Sequence, residues 1–256
     1  MNELFQSTEY QDIFSQHHLD DFESLWVKKI DWFEPPNHRR GGWSGVGQLF
    51  LPSHSGNLNI FVKKQQNHGR RTMFHPFKGE PTFRREFKRL VFLAQNQIKA
   101  PKVVFYAEEK IKKDSCAILA TEALVGYEPL DVITKRWHSD EVVTRLQKSN
   151  LLKATAEMIR RFHEVGLVHR ALYPKHIFIK NADTAPEVAL IDLEKSRFSL
   201  VLHYRAYFDL SALNRHAEYW SRSQRMRFFL SYMRSKRLTK RLKFMCQLIL
   251  RRSNRS

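Results

Sequence analysis

Residues 169–179 read His-Arg-Ala-Leu-Tyr-Pro-Lys-His-Ile-Phe-Ile, and residues 188–192 read Val-Ala-Leu-Ile-Asp. A polar turn separates the two stretches, and a helical pattern that ends near Phe162 precedes them. This order predicts a helix, a loop, a short β-hairpin and then an acid, Asp192, closing an apolar strand. An acid in that place is costly to bury unless it is paired or binds a metal ion. Asp192 is therefore the first candidate for a functional residue.

Three upstream features fit the chemistry of phosphoryl transfer, which needs phosphates held, charge neutralised by metal and an acceptor positioned. The glycine-rich stretch 41–47 allows backbone N–H groups to approach phosphates closely. Lys63 ends the predicted strand 58–63, and its neighbour Lys64 is expected to point to the opposite face of that strand. Glu86 on the following helix is expected to pair with Lys63. Each feature alone also has a purely structural explanation: a hairpin turn, a solvent-facing lysine, and a surface partner for Arg89.

Taken together, the motifs resemble the lipopolysaccharide kinase family of the Kdo/WaaP type, and most closely its InaA-like branch. The resemblance covers roughly residues 38–216. Besides the two stretches quoted above, it is carried by Arg40-Gly-Gly-Trp-Ser-Gly, Phe61-Val-Lys, Arg85-Glu-Phe, Thr121-Glu-Ala-Leu and Ile191-Asp-Leu-Glu-Lys.

The resemblance implies an α+β, protein-kinase-like fold of two lobes, with a small β-rich N-lobe and a mainly helical C-lobe. It implies ATP and Mg²⁺ as cofactors and ATP-dependent phosphorylation of a core sugar of lipopolysaccharide, heptose or Kdo. The catalytic residues expected from it are Lys63, Glu86, His169, Arg170 and Asp192. The residues expected to bind the cofactor are Gly42, Ser44, Gly45, Lys63 and, in the hinge near adenine, Glu122.

The same resemblance assigns roles to individual residues. Lys63 would hold the α- and β-phosphates, and His176 and Asp192 would bind the metal ion. Asp209 resembles the buried acid that braces the catalytic loop from a later helix.

One position departs from the family pattern. The catalytic loop usually reads His-Arg-Asp, but here Ala171 stands in the third place, so the side chain that accepts the acceptor's proton is missing. A general base typically contributes about 10²–10⁴-fold, while metal and positioning supply much of the rest. Two hypotheses remain open: a kinase, or a pseudokinase that binds nucleotide or acts as a scaffold.

Charge and composition limit the partners and the compartment. The net charge of +18 predicts attraction to a polyanion. The basic segment 215–256 has apolar residues at helical spacing, which suits either packed helices or a peripheral contact with an anionic membrane. A basic nucleic-acid-binding protein is a further alternative, but the sequence has no signature for it. Two distant cysteines, no secretory signal and no spanning segment predict a cytoplasmic protein. The resemblance to lipopolysaccharide kinases implies a peripheral place at the inner membrane.

The order of the predicted elements divides the chain into an N-lobe of residues 1–122 and a C-lobe of residues 123–256. The predictions for particular segments are a glycine-rich hairpin turn at 41–47, strands at 48–51 and 58–63, a loop at 64–80, a helix from Thr82, strands at 101–106 and 116–121, a helix from Ser139-Asp140-Glu141 to about Phe162, short strands at 176–179 and 188–191, and a helical remainder from Asp209.

Overall fold

The computed structural model describes residues 4–33, 35–39, 41–53, 56–72, 75–139 and 142–254. Its contacts divide the chain into two compact units. Unit 1 comprises Met1–Phe92 and Pro101–Leu124, and unit 2 comprises Leu93–Ala100 and Val125–Ser256. The predicted division into an N-lobe of residues 1–122 and a C-lobe of residues 123–256, each with its own function, stays a prediction.

Unit 1 is rich in β-structure. Its strands are β1 (Leu4–Gln6), β2 (Asp31–Trp32), β3 (Asn37–Arg39), β4 (Gly42–Leu51), β5 (Leu58–Gln66), β6 (Gly69–Thr72), β7 (His75–Pro81), β8 (Val103–Ile111) and β9 (Asp114–Glu122), and its helices are α1 (Gln11–Gln16), α2 (Phe22–Val27) and α3 (Thr82–Gln95). Within the described residues, one sheet has the order β1-β8-β9-β5-β4-β2, with β3 also paired to β4. Its core is formed with α1 and α2, where Phe14 and Leu25 are fully buried.

Unit 2 is mainly helical. Its helices are α4 (Leu130–Ser139), α5 (Arg145–Glu164), α6 (Leu202–His216), α7 (Arg222–Tyr232) and α8 (Lys240–Ser253), and its strands are β10 (Glu128–Pro129), β11 (Leu167–Val168), β12 (Ile177–Lys180), β13 (Glu187–Leu190) and β14 (Arg197–Phe198). Strands β10, β12 and β13 form one small sheet, and β11 pairs with β14. The β12–β13 hairpin connects the loop that begins at His169 to Asp192.

Most of the elements predicted around the motifs are confirmed. The β4–β5 hairpin, helix α3, strands β8 and β9, the β12–β13 hairpin and the helical C-terminal part all occupy the expected segments. The residues of β4 pair with those of β5 in a regular antiparallel register, with Val46 opposite Lys63.

Two segment predictions in unit 1 are wrong. The glycine-rich stretch is not a hairpin turn, because Gly42 already begins the long strand β4. Glycine is needed there for close approach: a Cβ at Gly42 would lie 2.3 Å from the backbone oxygen of Gln66. The predicted loop at 64–80 instead holds the end of β5 and the β6–β7 hairpin, whose polar residues hid its strand pattern.

The long helix of unit 2 begins later than predicted. Thr144 caps α5 by accepting from the backbone N–H of Gln147, and the Gln147 side chain accepts from the N–H of Thr144. This reciprocal capping fixes the start at Arg145. Asp140 and Glu141, in the predicted start, lie outside the described residues. The preceding helix α4 was not predicted.

Candidate functional site

Lys63 and Glu86 form a close ion pair in unit 1. The ammonium of Lys63 donates to both carboxylate oxygens of Glu86, at 2.6 and 2.8 Å. Glu86 is buried, whereas the Lys63 side chain keeps 24% of its surface exposed. The predicted pairing is confirmed, and the lysine is the more accessible member of the pair.

The pair forms because strand β5 also fixes the start of α3. The buried amide oxygen of Gln65 accepts from the Thr82 hydroxyl at 2.9 Å and from the Phe83 backbone N–H at 3.2 Å. Gln65 and Lys63 are two residues apart on a strand, so their side chains share a face. Glu86 lies one helical turn beyond Thr82, which brings its carboxylate over Lys63.

The neighbouring lysine has a different environment. Lys64 lies on the other face of β5, where its buried ammonium donates to the carbonyl oxygens of Trp26 and Lys28 at 2.8 and 2.7 Å. Burial lowers the pKa of Lys64 to about 8. The prediction that Lys63 and Lys64 face opposite sides of β5 is confirmed. Lys64 packs against the C-terminal end of α2.

The other residues expected to bind nucleotide in unit 1 have structural contacts of their own. A Cβ at Gly45 would lie 2.7 Å from the ring of Trp32, so glycine at 45 makes room for that side chain. Ser44 lies within β4, opposite Gln65 on β5. Glu122 ends β9, and its carboxylate accepts from the Tyr10 hydroxyl at 3.0 Å. The nucleotide-binding roles of Gly42, Ser44, Gly45 and Glu122 stay predictions.

In unit 2, Asp209 holds the loop that begins at His169. Its carboxylate is fully buried and accepts from the backbone N–H of His169 at 2.6 Å and from that of Arg170 at 2.8 Å. Arg170 has φ 67°, an unusual conformation for a side chain with a Cβ. The two charge-assisted hydrogen bonds stabilise this turn. The predicted bracing role of Asp209 is confirmed.

Two further buried side chains complete the brace. The imidazole of His163 donates through Nε2 to Asp209 at 3.0 Å and accepts through Nδ1 from the Tyr232 hydroxyl at 2.7 Å. Burial raises the pKa of Tyr232, so its phenol remains a donor. Tyr232 belongs to the basic segment 215–256, and nothing in the sequence marks it as a partner of His163.

His169 links the loop to the strand that ends at Asp192. Its Nε2 donates to the carbonyl oxygen of Ile191 at 2.9 Å. The ring is fully buried, and burial lowers its pKa, which keeps the imidazole neutral. The guanidinium of Arg170 lies 5.6 Å from the centre of the Phe208 ring. Both residues therefore have positioning contacts, and their catalytic roles stay predictions.

His176 and Asp192 lie side by side, with the imidazole Nε2 of His176 facing the carboxylate of Asp192. Nδ1 of His176 donates to the carbonyl oxygen of Ala171 at 2.8 Å, so in the neutral form of the ring the lone pair of Nε2 points toward Asp192. The distance from Nε2 to Oδ2 of Asp192 is 3.4 Å. Asp192 has left-handed backbone angles, φ 57° and ψ 60°, and its side chain is 36% exposed.

His176 and Asp192 together fit as ligands of a divalent cation. A lone pair on Nε2 and a carboxylate oxygen repel each other unless a proton or a cation lies between them. Mg²⁺ usually takes one or two protein ligands together with substrate phosphates, although it prefers oxygen to nitrogen. No cluster of three or more His, Cys, Asp or Glu side chains suited to a metal occurs among the described residues. The arrangement suits a phosphate-bound ion rather than a closed protein cage.

Ala171 is buried between these groups and supplies no proton acceptor on its side chain. Its carbonyl oxygen accepts from the Tyr173 backbone N–H at 2.8 Å as well as from His176. The loop thus keeps its shape without the usual acid. Of the residues that the resemblance implies, Asp192, the bracing Asp209 and Lys63 are present, and the carboxylate expected at position 171 is not.

Comparisons with known proteins agree with this geometry. The model of the lipopolysaccharide kinase (Kdo/WaaP) family matches residues 23–232. The protein InaA of Escherichia coli (strain K12) is 30% identical over 202 residues, which cover 78% of this chain and 89% of InaA.

A solved structure described as WaaP in complex with acyl carrier protein has the same fold. It superposes with a TM-score of 0.71 at 19% identity, covering 98% of each chain. The predicted α+β, protein-kinase-like fold is confirmed. The chain belongs to the lipopolysaccharide kinase (Kdo/WaaP) family.

Proposed function

We propose that this protein is an ATP-dependent phosphotransferase that phosphorylates a core sugar of lipopolysaccharide, heptose or Kdo. The observation that supports this most directly is the approach of His176 Nε2 to the Asp192 carboxylate, next to the loop that Asp209 braces. The Lys63–Glu86 ion pair in unit 1 is the second element that a kinase of this type requires.

Each residue has a defined task in this proposal. Lys63 binds the α- and β-phosphates of ATP, and Glu86 keeps the Lys63 ammonium oriented. Asp192 and His176 hold Mg²⁺, which when bound neutralises charge that develops on the phosphates. Asp209 acts through the backbone of His169 and Arg170 and is a positioning residue. Gly42, Ser44, Gly45 and Glu122 are proposed to contact the nucleotide.

Ala171 determines how the acceptor proton leaves. The chain's own loop offers no carboxylate at this position, so the acceptor hydroxyl is aligned without a positioned base there. Slow transfer follows, because metal binding and alignment remain while the base contribution of about 10²–10⁴-fold is lost. The same observation favours a second candidate function, a nucleotide-binding pseudokinase with a scaffold role.

A transfer assay separates the two candidates. The purified protein is incubated with γ-labelled ATP, Mg²⁺ and deacylated inner-core oligosaccharide, and label in the sugar is measured. We expect slow transfer that Asp192→Ala abolishes. Ala171→Asp should raise the rate by about 10²-fold, while the isosteric control Ala171→Asn should not.

Three outcomes distinguish the hypotheses. No transfer by the natural protein, together with ATP-dependent thermal stabilisation, supports the pseudokinase and contradicts the kinase. Active natural protein with no gain from Ala171→Asp means that another group acts as base. No thermal stabilisation by Mg²⁺ and ATP contradicts both.

The proposed place of action is the cytoplasmic face of the inner membrane, with a peripheral contact. Among the described residues, no helix has the length and apolar character needed to cross a bilayer. The net charge of +18 favours attachment to anionic lipids.

An apolar cavity in unit 2 suggests a further partner, one that carries an acyl chain. The cavity has a volume of about 320 Å³ and lies among α6, α7 and α8. Apolar side chains such as Leu213, Phe229 and Ile249 line it, and Arg222 lies among its few polar residues. The solved WaaP structure contains acyl carrier protein, and we propose that an acyl carrier protein binds here too.

A fluorescent fatty acid, dansyl-undecanoic acid, tests whether the cavity accepts an acyl chain, because the fluorescence of the probe rises when it enters an apolar site. Cys246→Trp fills the cavity and should strongly reduce this rise in probe fluorescence. Met245→Trp, on the neighbouring position that does not line the cavity, is the control. Equal gains in both variants and the natural protein would contradict the acyl site.

A further inference from the structure

A run of exposed apolar side chains extends from the end of β14 into the first turn of α6. Phe198, Leu200, Val201 and Tyr204 are all exposed, and Leu200 is 100% exposed. We call residues 198–204 the apolar loop. Soluble proteins rarely leave several large apolar side chains together in water, and such patches commonly mark interaction surfaces.

The backbone at both ends of the apolar loop is anchored. Phe198 pairs with Leu167 in the β11–β14 ladder, and the Ser199 backbone N–H donates to the carbonyl oxygen of Gly166 at 2.9 Å. The guanidinium of Arg205 donates to the carbonyl oxygen of Ser199 at 2.8 Å and also to that of His163. The apolar side chains are therefore presented outward by a fixed frame rather than by a free tail.

Helix α8 supplies cations and another apolar side chain beside the loop. A hydrogen bond of 2.7 Å joins the Arg241 guanidinium to Nε2 of His203. Phe244, one turn further along α8, is exposed, as are Lys240 and Lys243. Arg241 thus connects a basic helix face to the apolar loop.

Acidic side chains are nearly absent from this part of the chain. Within residues 195–254, which the structure describes throughout, the acids are Asp209 and Glu218. Asp209 is fully buried in the brace. An apolar surface beside excess positive charge complements a bilayer with anionic headgroups, where apolar groups enter the acyl boundary and cations remain at the surface.

We infer that the apolar loop inserts into the surface of an anionic phospholipid bilayer, with the exposed cations of α8 at the headgroups. The inference rests on the proposed membrane contact, and it names the residues that make it. Leu200 follows Asp192 by eight residues, which can span at most about 28 Å, so insertion would keep the candidate metal-binding acid within that distance of the inserted side chain. Membrane binding needs neither ATP nor turnover, and it can be measured separately.

Vesicle sedimentation tests the apolar contribution. The full-length protein is mixed with phosphatidylcholine vesicles, with and without phosphatidylglycerol, in the absence of ATP. We expect binding to the anionic vesicles only. Leu200→Asp should lower the bound fraction about tenfold, whereas Leu146→Asp, the same change at an exposed leucine at the start of α5, should leave it unchanged.

Charge and depth are tested by two further pairs of variants. Lys243→Glu on α8 should weaken binding, and Lys153→Glu on the exposed face of α5 should weaken it less. Relative to the natural protein with its five tryptophans, Leu200→Trp should show additional fluorescence quenching by brominated lipid tails, and Leu146→Trp should not.

Three results would overturn the inference: unchanged binding by Leu200→Asp, equal losses in Leu200→Asp and Leu146→Asp, or equal binding to neutral vesicles. Asp192→Ala should bind vesicles like the natural protein. A failure of the kinase proposal would therefore leave this result intact.

Discussion

Asp209 and Asp192 are two carboxylates of unit 2 that serve the same loop in opposite ways. Asp209 is fully buried, and three donors fill it: two backbone N–H groups and the imidazole of His163. Asp192 is partly exposed and faces Nε2 of His176. The first carboxylate has all its nearby donors from the protein, whereas the second is accessible to the cation proposed above. Hydrogen-bond partners and exposure, rather than residue type, separate the positioning acid from the candidate ligand-binding acid.

The largest expected effect is the loss of the brace. Asp209→Ala leaves two backbone donors and a buried imidazole without an acceptor, and it should lower the free energy of unfolding by about 3–5 kcal/mol. Urea unfolding followed by circular dichroism measures this change. Asp209→Asn, which retains an acceptor oxygen, should lose less. A stable Asp209→Ala protein would show that the loop does not depend on this carboxylate.

A smaller loss of stability is expected at Tyr232, which contacts Asp209 only through the hydrogen bond to His163. Tyr232→Phe removes the hydroxyl that donates to Nδ1 of His163 and should cost about 1–3 kcal/mol, because a buried acceptor is left unsatisfied. The same urea titration measures it. Tyr204→Phe, at an exposed tyrosine of α6, is the control and should change nothing. Equal effects of the two changes would argue against a working His163–Tyr232 bond.

The pH dependence of stability probes His169. Burial lowers its pKa in the folded protein, so the folded state binds a proton less readily than the unfolded state. This contribution to stability is fully present above the unfolded pKa of about 6.5 and is lost as the pH falls through the lower folded pKa. The natural protein should therefore lose more stability between pH 7.5 and 5.5 than His169→Gln does. Parallel curves would contradict the buried neutral imidazole.

The smallest effect on stability is expected at Asp192. Asp192→Ala removes a partly exposed carboxylate, so the free energy of unfolding should change by about 0.5 kcal/mol or less. Thermal stabilisation by Mg²⁺ and ATP should nevertheless disappear. A large loss of stability without ligand would place Asp192 with Asp209 as a structural acid and weaken the comparison.

The sequence predicted the elements whose patterns are local. The alternation along β5 separated Lys63 from Lys64, and the apolar run before Asp192 identified a buried strand with an acid at its end. The long-range partners could not be read in the same way. The capping of α3 by Gln65 and the bond from Tyr232 to His163 depend on contacts between distant segments.

The glycine-rich stretch shows why a local pattern can mislead. Glycine at 42, 45 and 47 suggested a turn, but it serves the close approach of Gln66, Trp32 and Asp31 to a continuous strand. Glycine is equally suited to a turn and to a crowded strand, and only the neighbours distinguish the two.

The cap on α3 also makes the candidate site sensitive to strand register. Because side chains alternate along β5, a slip of one position against β4 would exchange the two adjacent lysines. Lys64 would then meet Glu86, and Lys63 would enter the carbonyl pocket formed by Trp26 and Lys28. Gln65, which accepts hydrogen bonds from the first turn of α3, would lose those bonds in such a slip and so disfavours it. The uncharged side chain of Gln65 thus determines which of the two lysines pairs with Glu86.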